Sequence, residues 1–179
     1  MRNPLGRARS SCERVHSFTT RAMLREVSVL LFGLAACAPR PDLAADRAEL
    51  LRLHDLQRTA HLEKRADLLV ASFADSFLNI ARGAVAVRSP AENRTRLQRY
   101  FDQSTFEEWE DMAPPLIRIS RDGHMAYVIV QKRVRLTAAD SAGRCRAEHT
   151  VFAWLEVYEK RDGRWTLMAV ASTDRPGAA

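Results

Sequence analysis

The run from Met125 to Leu136 constrains this chain more than any other stretch. Ala126, Val128, Val130 and Val134 fall on one face and Tyr127, Ile129, Gln131 and Arg133 on the other. Successive side chains of a strand point to opposite faces, so this spacing demands a long strand with one face against a core. Similar runs flank it. Leu116 to Ile119 precedes it across the turn Arg121-Asp122-Gly123-His124, and Glu148 to Glu159 follows it after a polar loop from Thr137 to Arg146. Arg161-Asp162-Gly163-Arg164 then turns the chain back through Trp165 to Ser172. In Thr105 to Asp111, strict alternation sets Phe106 and Glu108 against Glu107 and Trp109. Everything after Ser104 therefore reads as antiparallel sheet.

Helical spacing dominates the stretch before it. From Asp42 to His61, Leu43, Leu50, Leu53, Gln57 and Ala60 share one side at about 100° per residue, while Arg52, Asp55 and Arg58 fall away from it. Ala66, Leu69, Val70 and Phe73 predict a second helix from Lys64 to Asp75, leading to a short strand, Phe77 to Ile80, that Gly83 stops. Ala84 to Val87 returns beside that strand. Ser89 as N-cap, Pro90 at the first helical position and Glu92 closing a capping box announce a third helix, with Leu97, Tyr100 and Phe101 on its apolar side. The expected fold is α+β, with three N-terminal helices packed on a curved, mostly antiparallel sheet over residues 42–175 and a short tail at 176–179. Without alternating βαβ units, a doubly wound nucleotide-binding fold is excluded.

The first forty residues carry a different message. Arg2, Arg7, Arg9, Arg14, Arg21 and Arg25 precede an apolar run from Val27 to Ala36 that ends at Cys37. So short a run cannot cross a hydrocarbon core of about 30 Å as a helix, which leaves a signal peptide over residues 1–36 or a buried first helix with an incidental cysteine. Leu34-Ala35-Ala36-Cys37 resembles the bacterial lipobox. That resemblance implies a mature chain beginning at lipidated Cys37, a tether over 37–41 and a place in the cell envelope. Ala38, where an inner-membrane retention signal has Asp, implies the outer membrane if the host has two. Translation could begin at Met1 or at Met23. Of the formal charge of +6, the first 36 residues hold +4, so the remainder is nearly neutral and no nucleic-acid surface is expected. Lys132 falls on the face opposite Arg133 and Arg135, so that strand builds no basic stripe. With Cys12 in the signal and Cys37 acylated, Cys145 is left without a disulfide partner. Asn93-Arg94-Thr95 fits a glycosylation sequon, which a bacterial lipobox makes coincidental.

The passage Leu68-Leu69-Val70-Ala71-Ser72-Phe73-Ala74-Asp75-Ser76-Phe77 leading to Gly83, together with the closing hairpin from Trp154 to Trp165, resembles the nuclear transport factor 2-like superfamily, in particular its SnoaL-like branch. The resemblance covers Asp46 to Thr173. It implies a cone whose sheet curls around the helices and leaves a pocket at the open end, and pairing of two copies through the outer sheet face. Such folds host isomerases, dehydratases, cyclases and non-enzymatic binders, so fold alone assigns no chemistry. In ketosteroid isomerase relatives a carboxylate on the first strand acts as base. The comparable stretch here, Leu78-Asn79-Ile80-Ala81, has none, and Asp75 is expected at a helix end making a local turn.

His54, Gln57 and His61 are the polar set of interest. His61 lies about 20° from His54 around the helix axis, so these side chains either line a pocket or straddle a half-exposed helix boundary. Two imidazoles about 10 Å apart along a helix cannot share one ion, and neither a metal site nor a cofactor motif emerges. Trp109, Tyr127 and Trp154 are either pocket walls or packing residues of the core or a dimer face. Glu107, Glu108, Glu110 and Asp111 surround Trp109, with only some of them able to point inward. The candidate pocket is thus His54, Gln57, His61, Trp109 and Tyr127. The expected function is binding of a small apolar molecule or a protein partner without catalysis; the alternative is an isomerase, dehydratase or cyclase with a pocket histidine as base, and a purely structural dimer is a third class. Thr150, Phe152, Trp154 and Tyr158 alternate with Val151, Ala153, Leu155 and Val157, so both faces of that strand are apolar and a homodimer through the outer face is expected.

Overall fold

The computed structural model describes residues 41–139 and 143–177. The signal-type segment, Cys37 and the tether up to residue 40 lie outside the described residues. Helices α1 (Leu43–Leu62) and α2 (Ala66–Val70) lead into the hairpin β1 (Phe73–Ala81) and β2 (Ala84–Arg88). Helix α3 (Pro90–Gln103) runs into β3 (Ser104–Asp111), β4 (Leu116–Ile119), β5 (Met125–Ala139), β6 (Cys145–Arg161) and β7 (Arg164–Pro176). The seven strands form one sheet ordered β2-β1-β7-β6-β5-β3, with β4 beside β3 on the same edge of β5. All pairs are antiparallel except β1 with β7. Among the described residues no helix is long and apolar enough to cross a membrane.

Asp42 caps α1 by accepting hydrogen bonds from the Ala44 and Ala45 amides at 3.1 and 3.0 Å. Its buried stripe is Asp46, Leu50, Leu53, His54, Gln57, Ala60 and His61. Leu43, expected on that stripe, is exposed, and Asp46 takes its first buried position. The Asp46 carboxylate meets Lys160 and accepts from the Trp165 indole at 3.2 Å, which fastens the start of α1 to the β6–β7 hairpin. Ser89 and Glu92 close the capping box of α3 as its sequence requires.

Three elements depart from the sequence reading. The helix expected from Lys64 to Asp75 ends at Val70, and β1 begins at Phe73. Residues four apart share a side in a helix and in a strand, so spacing could not separate the two here: Leu69, Phe73 and Phe77 satisfy both periods. Pairing of Phe73 with Leu167 on β7 decides for the strand. Asp75 consequently sits exposed within β1, not at a helix end. In β3 the register shifts between Phe106 and Glu108, which takes Glu107 out of the ladder and brings Phe106 and Trp109 to the same side. Finally, β5 and β6 pair as far as Ala139 and Cys145, so both ends of the expected polar loop are strand.

The core lies between the inner sheet face and the helices. Leu50, Leu53, Val128, Val130, Tyr158 and Trp165 form its centre, and a second cluster joins Ala60, Ala66, Leu69 and Phe101.

Candidate functional site

A cavity of about 270 Å³ opens between the C-terminal half of α1, α3 and the inner sheet face. Its walls are largely apolar: Phe73 and Phe77 from β1, Leu97 from α3, Trp109 from β3, Phe152 and Trp154 from β6. Polar groups enter at two levels. Gln57, His61 and Glu156 lie on the α1 and β6 side, and Asn79, Arg96, Tyr100 and Ser172 complete the lining. The register explains the floor, because Asn79 pairs with Val170 and Val170 with Glu156, giving one cross-strand row with its side chains on the same face.

His61 is held on all sides. Its Nδ1 is 2.7 Å from the carbonyl of Gln57, and a carbonyl only accepts, so Nδ1 carries the proton and Nε2 is left as the lone-pair nitrogen. The ring stacks on Trp109 at 3.6 Å between centroids and meets Phe101 and Phe106 edge-on. Burial pulls its pKa down to about 4, with the Lys132 charge adding to that effect and the Gln57 bond opposing it. The imidazole is therefore neutral across the physiological range. The indole N–H of Trp109, beside it, has no acceptor among the described residues.

Glu156 is 1% exposed and saturated by neutral donors. Its Oε1 accepts from Gln57 Nε2 at 2.8 Å and from Trp154 Nε1 at 3.0 Å, and its Oε2 is 2.9 Å from the Tyr158 hydroxyl. Burial raises the carboxyl pKa against these three bonds, since none of them brings a full positive charge. The Tyr158 phenol is raised well above its ordinary value by the same burial and by Glu156.

His54, expected beside His61 in the pocket, does not line the cavity. Its Nε2 meets Asp111 Oδ2 at 2.7 Å, and Lys132 Nζ donates to Asp111 Oδ1 at 2.6 Å. Lys132 is fully buried and stands 5.9 Å over the Trp109 ring. Burial alone would raise the Asp111 carboxyl, but its bonds to His54 and Lys132 hold it below its ordinary value. This cluster braces the β3–β5 wall behind Trp109 and supplies a charge that helps keep His61 neutral.

Tyr127 likewise does not line this cavity. It is 41% exposed on the outer sheet face, because β5 alternates strictly and Ala126 and Val128 take the inner positions. Of the expected set, Gln57, His61 and Trp109 come together, with Trp154 as a further wall. The sequence reading missed Glu156, Asn79, Arg96 and Tyr100. Glu156 had a signal: it is the acidic residue among the inward-phase positions of Phe152, Trp154 and Tyr158. Arg96 had none beyond lying one residue from Leu97. Among the described residues no group of three His, Cys, Asp or Glu is arranged to hold a metal ion.

No protein-family model and no curated protein matches this sequence. Solved structures do match its fold. A ketosteroid isomerase-like protein from Erwinia carotovora atroseptica superposes with a TM-score of 0.57 at 15% identity, over 73% of this chain and 96% of that one. A nuclear transport factor 2-like protein with a cystatin-like fold from Novosphingobium aromaticivorans gives 0.56 at 17% identity, over 76% and 86%. Another nuclear transport factor 2-like protein, from Cytophaga hutchinsonii, gives 0.56 at 18% identity, over 71% and 96%. At these identities the likeness concerns the backbone and leaves the chemistry to the side chains of this cavity.

Proposed function

We propose that this chain, which has the nuclear transport factor 2-like fold, binds a small and largely apolar molecule in the cavity without transforming it, at the bacterial cell envelope where a lipidated Cys37 anchors it. The observation that carries the binding reading is the state of His61: neutral, stacked and fixed in one tautomer, it offers a lone pair to a ligand hydroxyl or N–H. An imidazole whose conjugate acid has a pKa of about 4 is a weak proton acceptor at neutral pH. Native mass spectrometry of the full chain purified from its own host tests the reading. A molecule that stays bound until the chain unfolds is the expected result, and a cavity that is empty in every preparation counts against it.

An isomerase, dehydratase or cyclase reading keeps His61 alone as its base, since His54 is engaged by Asp111 outside the cavity. Turnover of small cyclic ketones that disappears in His61→Ala would establish it over the binder. The anchor reading rests on Leu34-Ala35-Ala36-Cys37 and predicts that Cys37→Ser leaves the membrane fraction.

Two rows on the outer sheet face support pairing with a second copy. Val85, Ile80, Ala171, Leu155, Ile129 and Leu116 are successive cross-strand partners from β2 to β4, and Val87, Leu78, Ala169, Val157 and Tyr127 form the row beside them. Val85, Val87, Tyr127 and Ile129 are exposed on these rows, and apolar surface gathered on one face is where partners dock. Sedimentation of the full chain decides the matter, and a monomer at tens of micromolar would refute the dimer.

A further inference from the structure

The reading of the cavity as a binding site leaves the chemical class of its ligand open, and the charge distribution along its lining narrows that class. Arg96 lines the cavity from α3. Arg96 is an exposed residue whose guanidinium has no hydrogen bond or ion pair to any described residue, and it is the arginine of the lining. The charge that acts on it is a like one, Arg88 at the end of β2. The Glu148 carboxylate acts instead on Tyr100, whose phenol burial and that charge push up to about 12, so its O–H stays protonated.

The carboxyl of the lining, Glu156, cannot satisfy Arg96. Both of its oxygens are occupied by Gln57, Trp154 and Tyr158. The cavity therefore has a cationic group without a counter-ion on its α3 side, aromatic walls, and a neutral polar side at His61 and Trp109. A guanidinium presents paired N–H donors that match a carboxylate edge, and such charge-assisted bonds are about twice as strong as neutral ones. His61 Nε2 keeps a lone pair, and a ligand hydroxyl is a small group able to donate to it. The volume of about 270 Å³ is at the lower end for small-molecule sites, which suits one ring with short substituents. A dianion such as a phosphate ester would call for more donors than one guanidinium and the neutral groups Asn79, Tyr100 and Ser172.

We propose that the cavity selects a small aromatic or alicyclic monocarboxylate, its carboxylate against Arg96 and a hydroxyl at the opposite end against His61. The probes are 4-hydroxybenzoate, benzoate and the uncharged 4-hydroxybenzamide, and binding to the full chain in a non-ionic detergent is measured by ligand-observed NMR. The hydroxy acid is expected to bind at least tenfold more tightly than the amide. Arg96→Gln should abolish that preference while leaving the melting temperature unchanged, because Arg96 pairs with nothing among the described residues. His61→Phe should remove the advantage of 4-hydroxybenzoate over benzoate.

Equal binding of acid and amide, or a preference for the acid that survives Arg96→Gln, overturns the proposal while leaving the cavity a binding site. Failure of both acids to bind at millimolar concentration also overturns it. The binding reading itself is judged separately by the molecule that native mass spectrometry finds in host-purified protein, and a neutral occupant there would refute the carboxylate but not the site.

Discussion

His54 and His61 stand on the same face of α1 and are both buried, yet the sheet gives them opposite surroundings. His54 ends against a carboxylate, with Asp111 between it and a fully buried Lys132. His61 ends against aromatic rings and a backbone carbonyl, and the charge that acts on it is a cation that disfavours its own protonation. One belongs to a charged brace behind the wall and the other to a neutral lining. The difference shows that the helix sets only which way an imidazole points, while strands distant in sequence set whether it meets a carboxylate or aromatic rings.

The largest expected effect comes from breaking the brace. Asp111→Ala leaves the buried Lys132 ammonium without a counter-ion; because Asp111 itself is partly exposed, the expected cost in chemical denaturation is about 3 kcal/mol, the lower end for a buried pair. Adding Lys132→Met to Asp111→Ala should recover most of that loss, because an apolar pair does not carry the desolvation penalty of a lone charge. If the single variant lost less than about 1 kcal/mol, the brace would not be the support proposed for the Trp109 wall.

A somewhat smaller effect separates the lining from the brace through pH. The folded-state pKa of His61, about 4, lies below its ordinary 6.5, so between these values the unfolded chain binds a proton that the folded chain does not. Stability from this group is fully present above about pH 6.5 and is lost as pH falls toward 4, up to about 3 kcal/mol. Equilibrium unfolding at several pH values should show this decline in the wild type and not in His61→Phe. A decline that persists unchanged in the variant would place its origin elsewhere.

The smallest effect tests the floor. Glu156→Gln keeps the volume and an accepting oxygen, so a change of about 1 kcal/mol is expected near pH 4. Glu156 titrates in the opposite sense to His61: its raised pKa makes its contribution present below about 4.5 and lost as pH rises through the folded value. The cost of the substitution should therefore shrink or change sign on going to pH 8. An equal cost at both pH values would contradict a raised carboxyl.

Much of the fold was legible before any coordinates. Strict alternation along β5, the capping box at Ser89 and the α1 stripe from Leu50 to Ala60 are local patterns, and the structure keeps each of them. What failed did so where two periods coincide or where an extra residue enters. Phe73 and Phe77 fit a helix as well as a strand, and only the pairing with β7 chose between them. Glu107 leaves the ladder of β3, and without that shift Trp109 would face away from His61.

The cavity was legible in part. Gln57, His61 and Trp109 were named from spacing, while His54 and Tyr127 were assigned to it and belong elsewhere. The sequence by itself determined the class of fold, the strand faces, and the presence of polar side chains on an otherwise apolar helix stripe, because these depend on periods of 2 and 3.6 residues within one element. The tertiary structure alone decided which polar groups meet. Gln57 reaches Glu156 from 99 positions away and His54 reaches Asp111 from 57, and the shifts of the two carboxyls follow from burial and partners that no local pattern encodes.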